Sequence, residues 1–145
     1  MAIRFFGKDN PNGEFSNFAP YPFTLDDAEW PTVEHYFQAQ KFLDPIEKER
    51  VRVAASPAKA RSLGRRRTVP IRTDWEAVKL GIMKDGVRAK FAQHAELRRI
   101  LLATGDEEII EASPRDYTWG CGAKGTGKNL LGKILAEIRT ELSQT

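Results

Sequence analysis

Three polar residues in the segment EWPTVEHYFQAQKF, namely Glu34, Gln38 and Lys41, are spaced four and then three positions apart. On a helix that spacing puts a carboxylate, an amide and an amine on one stripe. Val33, Phe37 and Phe42 lie beside it. The stripe can therefore line a polar pocket edged by aromatics, or it can be a solvated face. On periodicity alone the solvated face is favoured. A second cluster lies in SPRDYTWG, where Asp116 and Trp119 directly precede a glycine run. Tryptophan stacks on flat rings and sugars, although packing in the core is its ordinary use. Arg65, Arg66 and Arg67 are consecutive and follow Gly64, which reads as a helix stop. Such a run is ordinarily a solvated face, but the planar fork of Arg65 also suits a phosphate. His35 reads as a hydrogen-bonded structural histidine. Cys121, with no base nominated beside it, reads as a small buried or lining residue.

The glycine run WGCGAKGTGKNLLG contains G-x-G-x-x-G and, overlapping it, a phosphate-loop pattern in which Asn129 stands where Ser or Thr would hold magnesium. Both nucleotide-binding readings fail on context. A dinucleotide site needs a βαβ unit with an acidic residue about 20 positions on, and the segment after Asn129 reads as a single helix. Two readings remain. Glycines preceding a helix N-terminus can present backbone N–H groups to a phosphate, or they can simply form a tight turn.

The chain has 145 residues, 41% hydrophobic and 30% charged, with a net charge of +3. This describes one compact domain over 1–145, too weakly basic to announce a general nucleic-acid binder. Two histidines and one cysteine cannot assemble a zinc set from those residue types alone. No apolar run approaches a membrane span and no signal peptide is apparent, so a cytoplasmic protein without a membrane role is expected.

The chemistry-bearing residues need elements to position them. AIRFF reads as a first strand and FTLDDAEW as a second, paired as a hairpin. Helical signals then dominate. Pro31 opens a helix over the Glu34 stripe. Asp44–Pro45 and Ser56–Pro57 are cap-and-proline starts. Thr73 and Glu76 form a capping box before a long helix, and AELRRILLATG ends at Gly105. EEIIEASP is a short strand or a helix end. A last helix over KNLLGKILAEIRTEL buries Leu131, Ile134, Leu135, Ile138 and Leu142. The fold class is α+β, mainly helical, with a small N-terminal hairpin or sheet.

FSNF, EWPTVEHYFQAQKF, SLGR, the DW and VKLGIMKDGVRAKF phrases, LLATG, IIEASPRDYTWGCG and GKNLLGKILAEIR together, in order and across nearly the whole chain, resemble the NADAR family, also called YbiA-like. The resemblance implies an N-glycosidase. Its substrate would be a phosphorylated N-riboside, either a phosphoribosylamino-pyrimidine of the riboflavin pathway or ADP-ribosylated guanine in nucleic acid. It implies no metal; no cofactor is expected, and no obligate protein partner is evident in the sequence. It makes Glu34, Asp116 and Lys41 catalytic, with Asn17, Arg65, Trp75, Trp119, Gly120 and Asn129 against the substrate. It also turns the Glu34 stripe from a solvated face into part of a site, and the glycine loop into a pocket wall. Two routes are open for breaking the C1′–N bond: Glu34 stabilising a ribosyl cation or activating water, or Lys41 trapping C1′ as a Schiff base. Two other classes compete. One is a non-catalytic ADP-ribose or nucleotide-binding module, which has no need of Glu34, Lys41 and Asp116 together. The other is nucleic-acid binding through Arg65–Arg67.

Overall fold

A computed structural model describes residues Met1–Thr145. The chain forms two compact units, Met1–Ala19 with Phe91–Thr145, and Pro20–Lys90. The architecture is α+β and mainly helical, and no helix is long and apolar enough to cross a membrane.

The unit spanning Pro20–Lys90 holds β2 (Phe23–Leu25), β3 (Ala28–Trp30), α1 (Val33–Ala39), α2 (Pro45–Arg52), α3 (Pro57–Gly64) and nearly all of α4 (Trp75–Gln93). FTLDDAEW is not one strand but two, antiparallel, with Phe23 opposite Trp30 and Leu25 opposite Ala28. The two-residue loop is Asp26–Asp27, both left-handed at φ 55° and 60°. Two left-handed residues give the turn whose twist matches a hairpin, and aspartate tolerates that region better than most side chains. Trp30 Nε1 closes the hairpin by donating to the Leu25 carbonyl at 2.9 Å.

The helix starts obey local chemistry. Asp44 accepts the Ile46 N–H, and Ser56 accepts the Lys59 N–H, each ahead of a proline. α1 begins later than Pro31 suggests, because Thr32 is the cap and accepts the His35 N–H at 3.1 Å. The expected Thr73–Glu76 box is also displaced. α4 starts at Trp75, and the Val78 N–H donates to the Asp74 carbonyl, so Asp74 holds the cap position. Its carboxylate is taken by Arg72 at 2.6 Å.

The other unit holds β1 (Ala2–Phe5), a 3-10 turn (Gly13–Phe15), α5 (Ala95–Ala103), β4 (Glu108–Glu111) and α6 (Leu130–Ser143). Here the expected hairpin between the first two strands is corrected. β1 pairs in parallel with β4, Ala2 opposite Glu108 and Phe5 opposite Glu111. A parallel pair needs a long crossover, and sequence periodicity carries no information about so distant a partner. α6 lies on β4 and α5, burying Leu131, Ile134, Leu135, Ile138 and Leu142 as its spacing requires. Phe5, Phe15 and Phe91 form an aromatic row, with centroids 5.9 Å apart at each step. α5 ends at Ala103; the Gly105 N–H donates to the Leu102 carbonyl, and its left-handed φ of 64° turns the chain away from the helix.

Asp27 occupies the position where hairpins of this type most favour glycine. Asp27→Gly should raise the urea unfolding midpoint, with a gain of about 0.5 kcal/mol from relief of the left-handed side chain.

Candidate active site

α1 is buried over its whole length, from Val33 to Ala39. The polar stripe is therefore interior: Glu34 is 7% exposed, Gln38 4% and Lys41 8%. Lys41 lies just beyond the end of α1. There the ladder tightens, the Lys41 N–H donating to the Gln38 carbonyl at 3.2 Å and the Phe42 N–H to the Ala39 carbonyl at 3.1 Å. The tighter turn brings the lysine round while keeping Phe42 in the core.

The three side chains are tied to one another and to α3. Gln38 Nε2 donates to Glu34 Oε2 at 2.9 Å. Lys41 Nζ donates to the Gly64 carbonyl at 3.3 Å and lies 5.8 Å from the centre of the Trp75 ring. Trp75 itself packs on Phe37 at 5.0 Å. It thus walls the lysine with an apolar face. Burial pushes the Glu34 carboxyl above the usual carboxylate range, while the Gln38 amide, Arg61, Arg65 and Lys41 pull it back. Burial also pulls the Lys41 ammonium down to about 8, helped by Arg67 and Arg65 and opposed by Glu34. An amine with that value has a minor but useful neutral fraction near physiological pH, which an ordinary lysine lacks.

Beyond the pair, a shallow groove of about 380 Å³ runs along α3, lined by Ala58, Arg61, Ser62, Arg65 and Arg66. The consecutive arginines separate. Arg65 stays at the groove within electrostatic reach of Glu34. Arg66 leans over Phe42 and pairs with Glu47 at 2.6 Å. Arg67 donates to the carbonyls of Arg65 and Arg66. Arg61 was missed by sequence reasoning. Its only signal was its position four residues before Arg65, on the same face of α3. His35 is structural: Nε2 faces the Ala54 carbonyl at 3.0 Å and Nδ1 faces Thr32 Oγ1 at 2.8 Å.

The remaining candidates lie in the other unit. Asp116 Oδ1 accepts the N–H groups of Thr118 and Trp119, at 2.9 and 2.8 Å, and so shapes the loop that carries Trp119. Trp119 is half-buried, as is Asn17 in the turn after Phe15. Asn129 is a pin. Its amide donates to the Ile109 carbonyl and accepts from the Glu111 N–H, both at 2.9 Å, so it pairs with β4 as a strand would. The glycine loop leaves little for a phosphate. The Leu130 and Leu131 N–H groups, the first of α6, are donated to the carbonyls of Thr118 and Trp119, and the Asn129 N–H to that of Gly120. The loop caps the helix with its own backbone, which supports the tight-turn reading over the anion-binding one. Gly120 is required by close approach, since a Cβ there would lie 2.0 Å from Glu111 Oε2. Glu111, which sequence reasoning passed over, is pushed up to about 7 by burial and by Asp116, against the Ser113 N–H that it accepts. Cys121 lines a separate cavity of about 410 Å³ between β4, the glycine loop and the start of α6. The predicted residues thus form two sets. The set around α1 joins a buried carboxyl to a buried amine beside an arginine-lined groove, and the set around the glycine loop is largely engaged in holding that loop.

Comparison with known proteins gives a consistent picture. A family model described as the NADAR domain matches residues 4–143. The chain is 48% identical to N-glycosidase YbiA of Escherichia coli, over 97% of this chain and 88% of that one. It is 46% identical to N-glycosidase Npun_R5314 of Nostoc punctiforme, over 98% and 93%. It is 42% identical to riboflavin biosynthesis protein VVA0006 of Vibrio vulnificus, covering 98% of this chain but 39% of that longer protein. The NMR structure of E. coli YbiA superposes with a TM-score of 0.92, at 47% identity, over 99% of this chain and 86% of that one.

The depressed Lys41 has a consequence for stability. In the unfolded chain this lysine keeps its ordinary high value, so between about 8 and that value the unfolded state binds the extra proton and stability rises with pH. Below pH 8 the cost of the buried charge is fully present. Lys41→Met should therefore stabilise the protein at pH 7 by on the order of 1 kcal/mol, with the gain shrinking as pH rises above 8. Urea unfolding at pH 7 and pH 9.5 reads both effects.

Proposed function

The chain belongs to the NADAR family and is an N-glycosidase, and from that premise we propose that its reaction centre is the Glu34–Lys41 pair, acting on a phosphorylated N-riboside. The observation that carries this reading is the burial of a carboxyl and an amine of lowered value together, beside a groove presenting Arg61 and Arg65. A buried acid of raised value can protonate a leaving nitrogen, and a depressed lysine can attack carbon. The guanidinium forks suit the phosphate of the sugar. The names of longer relatives from Vibrio vulnificus and maize, both riboflavin biosynthesis proteins, favour a phosphoribosylamino-pyrimidine as the substrate class.

The proposed sequence of steps conserves atoms. The N-riboside opens to an imine at C1′, the ring oxygen taking up a proton as the 4′-hydroxyl. Neutral Lys41 Nζ adds to C1′. Glu34 gives a proton to the departing amine, the C1′–N bond breaks, and C1′ is left as a Schiff base on Lys41. Water then adds at C1′ and releases the free sugar phosphate and the lysine. Trp75 walls the lysine from water, and that desolvation favours loss of its proton. Asp116 serves through the loop it holds, which presents Trp119, and takes no part in breaking the bond.

Two substrates incubated in parallel test this: a phosphoribosylamino-pyrimidine and an oligonucleotide bearing ADP-ribosyl-guanine. Ribose 5-phosphate should be released from the first, and Glu34→Gln should lower kcat by about 10²–10⁴-fold. ADP-ribose release from the second in place of the first would move the substrate to modified nucleic acid. Nucleotide binding without turnover of either would refute the assignment of this centre. Borohydride added during turnover should fix sugar to the wild-type chain but not to Lys41→Ala. Failure to trap any adduct would sink the covalent route and leave Glu34 acting on a cation-like transition state.

A further inference from the structure

Gln38 Oε1 is a buried side-chain polar atom with no hydrogen-bond partner, and no other side-chain nitrogen or oxygen is left in that state. Buried acceptors are almost always paired, so an orphan needs a cause. The cause lies at the other end of the same amide. Nε2 donates to Glu34 Oε2 at 2.9 Å. With Glu34 ionised, turning the amide over would place two acceptors against each other at that distance, a worse arrangement than one unpaired carbonyl. The orientation is thus dictated by a Glu34 that accepts.

A second observation bears on the same amide. Gln38 lies against Gly64, where a Cβ would come within 2.1 Å of Gln38 Oε1 and 2.8 Å of its Cβ and Cδ. The absence of a side chain at Gly64 therefore makes the notch that seats the amide. Gly64 is not in a left-handed conformation, and α3 runs through it to a cap at Arg65. α3 does end at Gly64, as expected, but without a left-handed turn there, and the missing side chain serves close packing. Its carbonyl also accepts Lys41 Nζ. One residue of α3 thus supports both partners of the pair, the amine directly and the carboxyl through Gln38.

We propose that Gln38, seated in the notch at Gly64, is the positioning residue of the reaction, holding the Glu34 carboxyl in one orientation as a hydrogen-bond acceptor. This assignment rests on Glu34 being the reacting carboxyl. It predicts that Glu34 changes its titration when the donor is removed, whatever happens to turnover. A hydrogen bond to an ionised carboxylate stabilises that form, so its loss makes Glu34 harder to ionise.

The test uses the full chain labelled with 13C-glutamate. The Glu34 carboxyl resonance is identified by its absence in Glu34→Gln, then titrated in the wild type, Gln38→Met and Gly64→Ala. Gln38→Met keeps the length of the side chain without the donor, and Gly64→Ala displaces the amide by filling its notch. The Glu34 midpoint should move up by about one pH unit in both. The limb of the pH–rate profile for release of sugar phosphate that tracks Glu34 should move with it, while KM changes little. An unmoved midpoint in a folded Gln38→Met, or in Gly64→Ala where the first variant does not fold, would overturn the assignment. Full activity in Glu34→Gln would instead overturn the reaction centre proposed above, a failure that the titration distinguishes because it reads the contact without turnover.

Discussion

The structure turns on the burial of a short helix that is not wholly apolar. α1 has no solvated side, so any polar atom it carries must find its partner within the protein or bear the cost of going without. Thr32, His35, Glu34, Gln38 and Lys41 all lie in this segment. The histidine is satisfied by Thr32 and by the carbonyl of Ala54. The carboxyl is satisfied by Gln38, and the amine by the carbonyl of Gly64. α3 has to pass close enough for these contacts, which only a residue without a side chain permits at Gly64.

That arrangement holds two ionisable groups where water would hold them better. Neither belongs in an interior chosen for stability alone: a carboxyl raised by burial and an ammonium lowered by it each oppose folding in their ordinary charge states. An N-glycosidase has use for the same departures. A carboxyl that keeps its proton can give it to a leaving nitrogen, and an amine that sheds its proton can reach an electrophilic carbon. The surrounding arginines oppose the first effect and add to the second. They keep the carboxyl from rising further and press the lysine lower, while the guanidinium groups of Arg61 and Arg65 remain at the groove on α3.

The glycine-rich loop shows the opposite relation between appearance and use. Its pattern suggests a ligand, but its carbonyls cap α6, and its neighbours Asp116 and Asn129 use their polar atoms to hold backbone. Gly120 and Gly127 are small because other chain segments pass against them, Glu111 at one and the carbonyls of Gly120 and Cys121 at the other. Loops of this kind secure a parallel strand pair in which β4 would otherwise leave backbone groups unpaired beside α6.

Much was legible from the residues alone, because some signals act over only a few positions. Asp44, Ser56 and Gly105 mark helix ends by bonds to near neighbours, and the spacing of leucines and isoleucines in α6 dictates the face it buries. The ordered phrases along the chain identified the family. Other features were decided only in three dimensions. Whether Glu34, Gln38 and Lys41 were a solvated stripe or a buried set depended on what packed over α1 from distant segments. The partner of β1 lay more than a hundred positions away, at Glu108–Glu111. Asn129 and Asp116 carry amide and carboxylate groups that suit a ligand or a backbone equally, and only the neighbouring chain shows which they hold. The physical reason is the same in each case. Sequence spacing sets which side of an element a residue occupies, but desolvation and hydrogen-bond partners are supplied by whatever the fold brings across from it.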